Sequence, residues 1–358
     1  MRKQKALFRL FHRQVIPSNS DSYMKRYLFI LSILVINVSC RDNFDLGKLG
    51  DTRKIVAYTF PSLNDTTFIY LSGSIPISLS QEKDKKQIPP INNADIKYTV
   101  NGNICKVHPY KHGYYYVLAK QHVGDIIQMQ VSAEGYPAIS SSTVIPESVP
   151  ILFKQIDLVS RIDDDYTKTD YYQLQASFSD LVGTEDFYGI KVLIRTISPQ
   201  RSSGHGNKQK NGMQGNPSAQ RDTSLIWAAL DIHGEELFKP LSDLDKNLGF
   251  SNHFYQYFYI FNDRSINGKS YTLHLNIPTY QTQVQSTNEA KVQFKIFLYK
   301  LSPEYYHFLK SLNDIINNDL AKHGLAQITP TFSNITGGIG VMGACNHTQC
   351  DWIDLPQQ

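Results

Sequence analysis

The run Ala94-Asp95-Ile96-Lys97-Tyr98-Thr99-Val100 is followed at once by Asn101-Gly102-Asn103. Asp95, Lys97 and Thr99 alternate with Ile96, Tyr98 and Val100, the period of a strand with one buried face. Asn-Gly then supplies the residues that a tight hairpin turn demands. The same grammar recurs on both sides. Short runs rich in Tyr, Phe, Val and Ile, broken by Gly, Pro, Asn and Asp, read as strands at 54–60, 67–79, 95–100, 113–119, 126–133 and 140–145. A second series follows at 151–159, 171–178, 187–197, 223–231, 254–261, 271–278 and 292–301. The prediction is an all-β chain: an N-terminal immunoglobulin-like sandwich over 54–148, then a larger β-sandwich over 149–343.

Upstream of the first strand stands a leader. Met24-Lys25-Arg26 is basic, Tyr27 to Val38 is an apolar run of twelve residues, and Ser39-Cys40 closes it. Twelve helical residues span only about 18 Å, too short for the ~30 Å hydrocarbon core, so the segment reads as a cleaved signal. A small residue before cysteine marks lipoprotein processing, with Cys40 as the lipidated residue and 40–53 as the tether, although Asn37 stands where Leu is usual. Residues before Met24 form a basic extension, from an upstream start codon or a long n-region. Residues 1–39 carry seven Lys/Arg and one Asp of totals of 36 and 32, so 29 basic residues face 31 acidic ones and the mature net charge is −2. The apparent basicity belongs to the leader, and no basic footprint for nucleic acid survives cleavage.

One segment breaks the β pattern. Ser302 as N-cap, Pro303 at the first position and Glu304 in the first turn precede Tyr305, Phe308, Leu309, Leu312, Ile315 and Ile316 on one face, which predicts an amphipathic helix near 303–320. The stretch near 198–224, with Gly204, Gly206, Gly212, Gly215 and Pro217, reads as a low-complexity insertion, disordered or a contact loop. Residues 344–358 are set apart as a C-terminal tail.

Several constellations invite chemistry. Gly338-Ile339-Gly340-Val341-Met342-Gly343 spells G-x-G-x-x-G, but only fifteen residues follow it, too few for the rest of a dinucleotide-binding unit. It reads as a glycine-rich strand where backbones pack closely. Cys105, His108 and His112 sit in a β-rich stretch with Pro109 and Gly113, not on one helix face. Asp163-Asp164-Asp165 cannot all point inward and read as a solvated turn. Cys345 and Cys350 form a C-x4-C loop compatible with a small disulfide; the competing reading, a zinc site using His347, lacks a second pair of ligands at metal-type spacing. Phe254-Tyr255-Gln256-Tyr257-Phe258-Tyr259 reads as a buried strand, with aromatic stacking on a ligand as the alternative. The expected catalytic, cofactor and metal sets are all empty.

Two resemblances bear on function. The phrases Ala94 to Val100, Gly113 to Tyr116 and Val131 to Tyr136 resemble small pre-albumin-like sandwiches of bacterial surface proteins. Phe178-Ser179-Asp180 with Gly183, Glu185 and Tyr188, Phe261-Asn262-Asp263 with Gly268 and Tyr271, Leu301 to Tyr306, and Phe332 to Gly343 follow in order. Together they resemble a family of Bacteroidota lipoproteins catalogued only as a domain of unknown function. The resemblance implies an outer-membrane lipoprotein, anchored through Cys40, facing the cell exterior and encoded beside a SusC-like TonB-dependent transporter. Asp42 and Asp45 are similar to surface-export signals, interrupted by Arg41. The expectation is a non-enzymatic accessory of such a transporter, with no established ligand. A structural or adhesive surface protein is the alternative.

Overall fold

The computed structural model describes residues 53–63, 66–75, 88–162, 166–199, 221–238, 253–282, 290–318, 323 and 330–355. The leader with Cys40, the acidic triplet Asp163 to Asp165, and residues 200–220 of the predicted insertion lie outside the described residues.

Eight strands come first: β1 (Ile55–Thr59), β2 (Thr66–Gly73), β3 (Ala94–Val100), β4 (Asn103–Cys105), β5 (Val107–Pro109), β6 (Tyr114–Leu118), β7 (Ile126–Ala133) and β8 (Ile139–Val144). The opening run is β3. Asn101 and Gly102 both adopt positive φ, 49° and 81°, and fold it back onto β4. Strands β1, β2, β6 and β5 form one sheet; β4, β3, β7 and β8 form the facing one. Alternation does the sorting, as in β7, where Ile127, Met129 and Val131 are buried while Ile126, Gln128 and Gln130 face water. Ile55, Leu71, Tyr98, Val117 and Met129 fill the space between the sheets.

The second series comprises β9 (Leu152–Ile162), β10 (Lys168–Ser179), β11 (Phe187–Pro199), β12 (Arg221–Trp227), β13 (Tyr259–Asn262), β14 (Ser270–Pro278) and β15 (Lys291–Leu301). Helix α1 (Pro303–Asn317) and strands β16 (Ile339–Met342), β17 (Cys345–Gln349) and β18 (Ile353–Asp354) complete the chain. One sheet has the order β14-β10-β9; the other runs β12-β11-β15-β17, with β13 on β11 and β18 on β15. Ile190, Val192 and Ile194 of β11 and Phe294, Ile296 and Leu298 of β15 meet Leu174 and Ala176 of β10 and Leu273 and Leu275 of β14 in the core. The fold is all-β with one α-helix among the described residues, arranged as sandwiches with no closed barrel. The helix starts where its sequence signals place it: the Ser302 hydroxyl accepts from the Tyr305 N–H, and Pro303 occupies the first turn.

The C-terminal segments divide differently from the sequence expectation. Strand β16, expected in the second sandwich, lies parallel to β1 in the first, with Val56 opposite Ile339 and Thr59 opposite Met342. Gly340 explains the glycine-rich run: its φ is 116°, and a Cβ there would sit 2.0 Å from the Ala57 carbonyl oxygen. After β16 and two intervening residues the chain re-enters the second sandwich as β17, which pairs with β15, and β18 follows; the expected tail therefore carries sheet. Ala344, fully buried between β16 and β17, stitches the two layers. Its N–H is shared by Thr143 Oγ1 at 3.2 Å and Ser302 Oγ at 3.1 Å, and its carbonyl accepts from the Ser302 N–H at 2.9 Å. Likewise, strands run to Pro199 and from Arg221, so sheet structure covers both margins of the insertion expected at 198–224.

Candidate functional site

Two of the ordered sequence motifs converge at one end of the second sandwich. The connection from β10 to β11 carries Asp180, Gly183, Glu185 and Asp186; the connection from β13 to β14 carries Asp263, Asn267 and Gly268. The backbones bond across, Asp180 N–H to Lys269 O at 3.0 Å and Asp263 N–H to Asp186 O at 3.1 Å. Carboxylate oxygens of Asp180, Asp186 and Asp263, all buried, come within 4.8 Å of one another. Such crowding demands a positive charge. Lys300 supplies it, its ammonium donating to Asp186 at 2.6 Å while both side chains remain over nine-tenths buried. Asp180 accepts from the Tyr188 hydroxyl at 2.5 Å and from the Gly268 N–H at 2.8 Å, and Asp263 accepts from Asn267 at 3.2 Å. Burial, then the neighbouring Asp180 and Asp186, push the Asp263 carboxyl up. This node is a junction whose carboxylate charge is partly offset by the protein's own lysine. The motif residues Tyr188, Gly183 at φ 90° and Gly268 at φ 69° serve its geometry.

The site open to a ligand lies elsewhere. A groove of about 590 Å³ is lined by Tyr58 of β1 and Phe60 just after it, Tyr255, Gln256 and Phe258 before β13, Lys191 and Tyr299 on the second sandwich, and Tyr305, Phe308, Leu309 and Leu312 of α1. That volume suits a small ligand or a side-chain anchor. Phe258 forms the floor. Gly189 on β11 makes room for it, because a Cβ there would lie 2.4 Å from the Phe258 ring. Tyr299 and Tyr305 meet Phe258 edge to face at 4.9 and 6.2 Å, and Phe60 approaches Tyr305 at 4.8 Å.

The aromatic run expected as one strand is broken to build this floor. Tyr255–Tyr257 form a single 3-10 turn, and Gln256 and Tyr257 take φ of 52° and 54° before β13 begins at Tyr259. The helix holds that turn in place: Asn313 and Asn317 accept from the Tyr255 and His253 N–H groups at 2.8 and 2.7 Å. Two non-glycine residues in the left-handed region cost roughly 1–3 kcal/mol each, a strain typical of binding segments.

Electrostatically the groove is apolar with one cation. Burial, and then the nearby Cys345 thiol, push the Tyr299 phenol up to about 12. Burial likewise raises Tyr58 and Tyr305, so these rings are neutral donors at physiological pH. Burial lowers Lys191, whose ammonium stacks 4.2 Å from the Trp227 ring and 5.7 Å from that of Phe258. Such a lining offers stacking surfaces and a single charge-assisted contact to an anionic group.

Other residues singled out from sequence stand as follows. Cys345 and Cys350 are free thiols rather than a disulfide. Strand β17 runs extended between them, and five steps of ~3.3 Å put their backbones roughly 16 Å apart, beyond disulfide reach. Burial raises both thiols, Cys345 up to about 11. Cys105 lies in β4, His108 stacks on Tyr116 at 5.1 Å, and His112 sits in a turn at φ 55°; the three form no ligand cluster among the described residues.

Neither the acidic node nor the groove was identified from sequence. Lys300 carried a usable signal, since it continues the inward parity of Val292, Phe294, Ile296 and Leu298 on β15, where a lone lysine needs a buried partner.

Comparison with curated proteins and with solved structures finds no match. The family model described as Domain of unknown function (DUF4249) matches residues 42–350, which takes in strands β1 to β17 and the helix. This chain belongs to that family.

Proposed function

We propose that the protein is a non-enzymatic lipoprotein of the outer-membrane surface, working as an accessory of a SusC-like TonB-dependent transporter and recognising its ligand or partner in the aromatic groove. The observation that carries this reading is the junction at Cys40. The leader-like segment Met24 to Ser39 ends there, and the family region begins at residue 42, so cleavage before Cys40 releases the family domain whole on a short tether. The groove supports a recognition role, because its aromatic lining is assembled from both sandwiches and the helix. Affinity purification of the tagged full chain from detergent-solubilised outer membranes tests the proposal. It predicts a TonB-dependent transporter in the eluate; purification free of any transporter counts against it.

A further inference from the structure

The groove does not end at its rim. It opens onto the outward face of the β12-β11-β15-β17 sheet, where β-strand parity places Lys191, Leu193 and Arg195 of β11 beside Lys295, Phe297 and Tyr299 of β15. Lys191 lies opposite Phe297, Leu193 opposite both Lys295 and Trp227, and Arg195 opposite Leu225. Rings hold the three cations in place. Lys191 stacks on Trp227, while Arg195 and Lys295 lie 3.8 and 4.7 Å from the ring of Trp352. Among the described residues none of the three forms an ion pair. Asp354 shares the Gln293 row with Arg195; it meets the Gln293 amide at 2.5 Å and Lys291 at 3.0 Å, which with the Arg195 charge hold its carboxyl low, while Arg195 Nε donates to Gln293 Oε1 at 2.8 Å. Trp227 and Leu225 remain 37% and 56% exposed. From Lys191 to Lys295 the face is thus apolar and positive, with Asp354 the carboxylate at its Arg195 end.

We propose that this face, continuous with the groove, docks an extended acidic segment of a protein partner. The inference rests on the groove as the binding site and adds the chemistry of what it takes. Complementarity sets the pattern. Along a strand, side chains on one face repeat every ~6.7 Å, so a partner laid parallel to β11 meets one row of this face at every second residue. An aromatic or large aliphatic anchor enters the groove over Phe258, at the Gly189–Tyr299 row. Carboxylates two, four and six residues further on meet Lys191, Lys295 and Arg195. Stacking has already immobilised those cations, which lowers the ordering cost of each contact. The concave groove at one end of the row favours a peptide over a flat anionic bilayer, whose surface cannot enter it.

Trp227 and Trp352 are the only two tryptophans of the chain and both lie on this face, so the protein carries its own reporter. The full mature chain is titrated with a synthetic peptide containing Phe-Thr-Glu-Thr-Glu-Thr-Glu, with excitation selective for tryptophan. The expected result is a saturable change. The dissociation constant should rise about tenfold in Lys191→Met and in Arg195→Gln, by the loss of one charge-assisted contact. A peptide with Lys in place of Glu should produce no change. Arg195 lies on the solvent-facing side of the sheet, so its variant tests the face even if Lys191→Met unfolds. Equal binding of the Glu and Lys peptides, or no saturable response to either, overturns the proposal. So does a response to phosphatidylglycerol vesicles without one to the peptide. If the response is absent while a transporter still co-purifies, the docking face is wrong and the accessory role stands.

Discussion

Replacing Lys300 with Met removes the one cation that, among the described residues, pairs with a buried set of three carboxylates. The side chains of Lys300 and Asp186 are 9% and 8% exposed, their charged atoms are 2.6 Å apart, and Asp180 and Asp263 oxygens lie within 4.8 Å. At that separation and an effective dielectric constant near 20, the lost attraction is about 6 kcal/mol, and the carboxylates left behind still repel each other. Protonation caps the loss, because a crowded buried carboxyl takes up a proton rather than remain charged. The expected destabilisation is therefore ~3–5 kcal/mol at pH 7, the range for breaking a buried pair by removing one partner. The assay is urea unfolding of wild type and Lys300→Met at pH 7 and pH 5. Burial and its acidic neighbours already push the Asp263 carboxyl up, and removing the cation leaves it raised in the folded variant. The deficit is full above the folded value and shrinks as pH falls toward the unfolded one, so it should be smaller at pH 5. The double variant Lys300→Met/Asp186→Asn should recover much of the loss. A Lys300→Met protein within ~0.5 kcal/mol of wild type at pH 7, the scatter of ordinary surface changes, would refute the reasoning.

Three further outcomes are expected. Gly340→Ala should lower stability by more than the roughly 1 kcal/mol typical of losing a glycine's conformational freedom, because its Cβ collides with the Ala57 carbonyl; thermal unfolding of Gly340→Ala against Gly102→Ala, where nothing lies within 4 Å, checks this. Asp231 is pushed up by burial, but hydrogen bonds from Arg161 and from the His233 N–H carry it below the usual carboxylate range. Its stabilisation is therefore present above the ordinary aspartate pKa and lost as pH falls through the lower folded value; Asp231→Asn should be less stable than wild type at pH 6, with the gap closing under acid in a stability titration. Iodoacetamide at pH 8, read by intact mass, should modify Cys345 far more slowly in the folded protein than in denaturant, with no mass signature of a Cys345–Cys350 bond, because burial holds that thiol protonated.

Local chemistry was legible in the sequence. Asn101-Gly102 predicted a hairpin, and Ser302-Pro303-Glu304 predicted the start of α1, because each signal acts within a few residues. The glycine-rich run after Gly338 was legible as close backbone packing, but its partner was not. Strand β16 pairs in parallel with β1 across the entire second sandwich, and no local pattern encodes such a distance. The run Phe254 to Tyr259 misled for a different reason. Its β propensity is high, yet packing of Phe258 over Gly189 and anchoring of Tyr255 by Asn313 force a turn with positive φ at Gln256 and Tyr257. Asp180 and Asp263 stood in plain view within their motifs. Their meeting, and hence the node, exists only once the β10–β11 and β13–β14 connections are brought side by side.

The claim that this chain is a lipid-anchored accessory turns on its N-terminus. Mass spectrometry of the tagged protein isolated from the membranes of its own cells reads that directly. The account predicts a mature chain beginning at Cys40, with residues 1–39 gone and a diacylglycerol-modified cysteine, and release of a Cys40→Ser variant from the membrane fraction. A mature chain that retains residues upstream of Cys40, or that begins elsewhere with Cys40 unmodified, would contradict it.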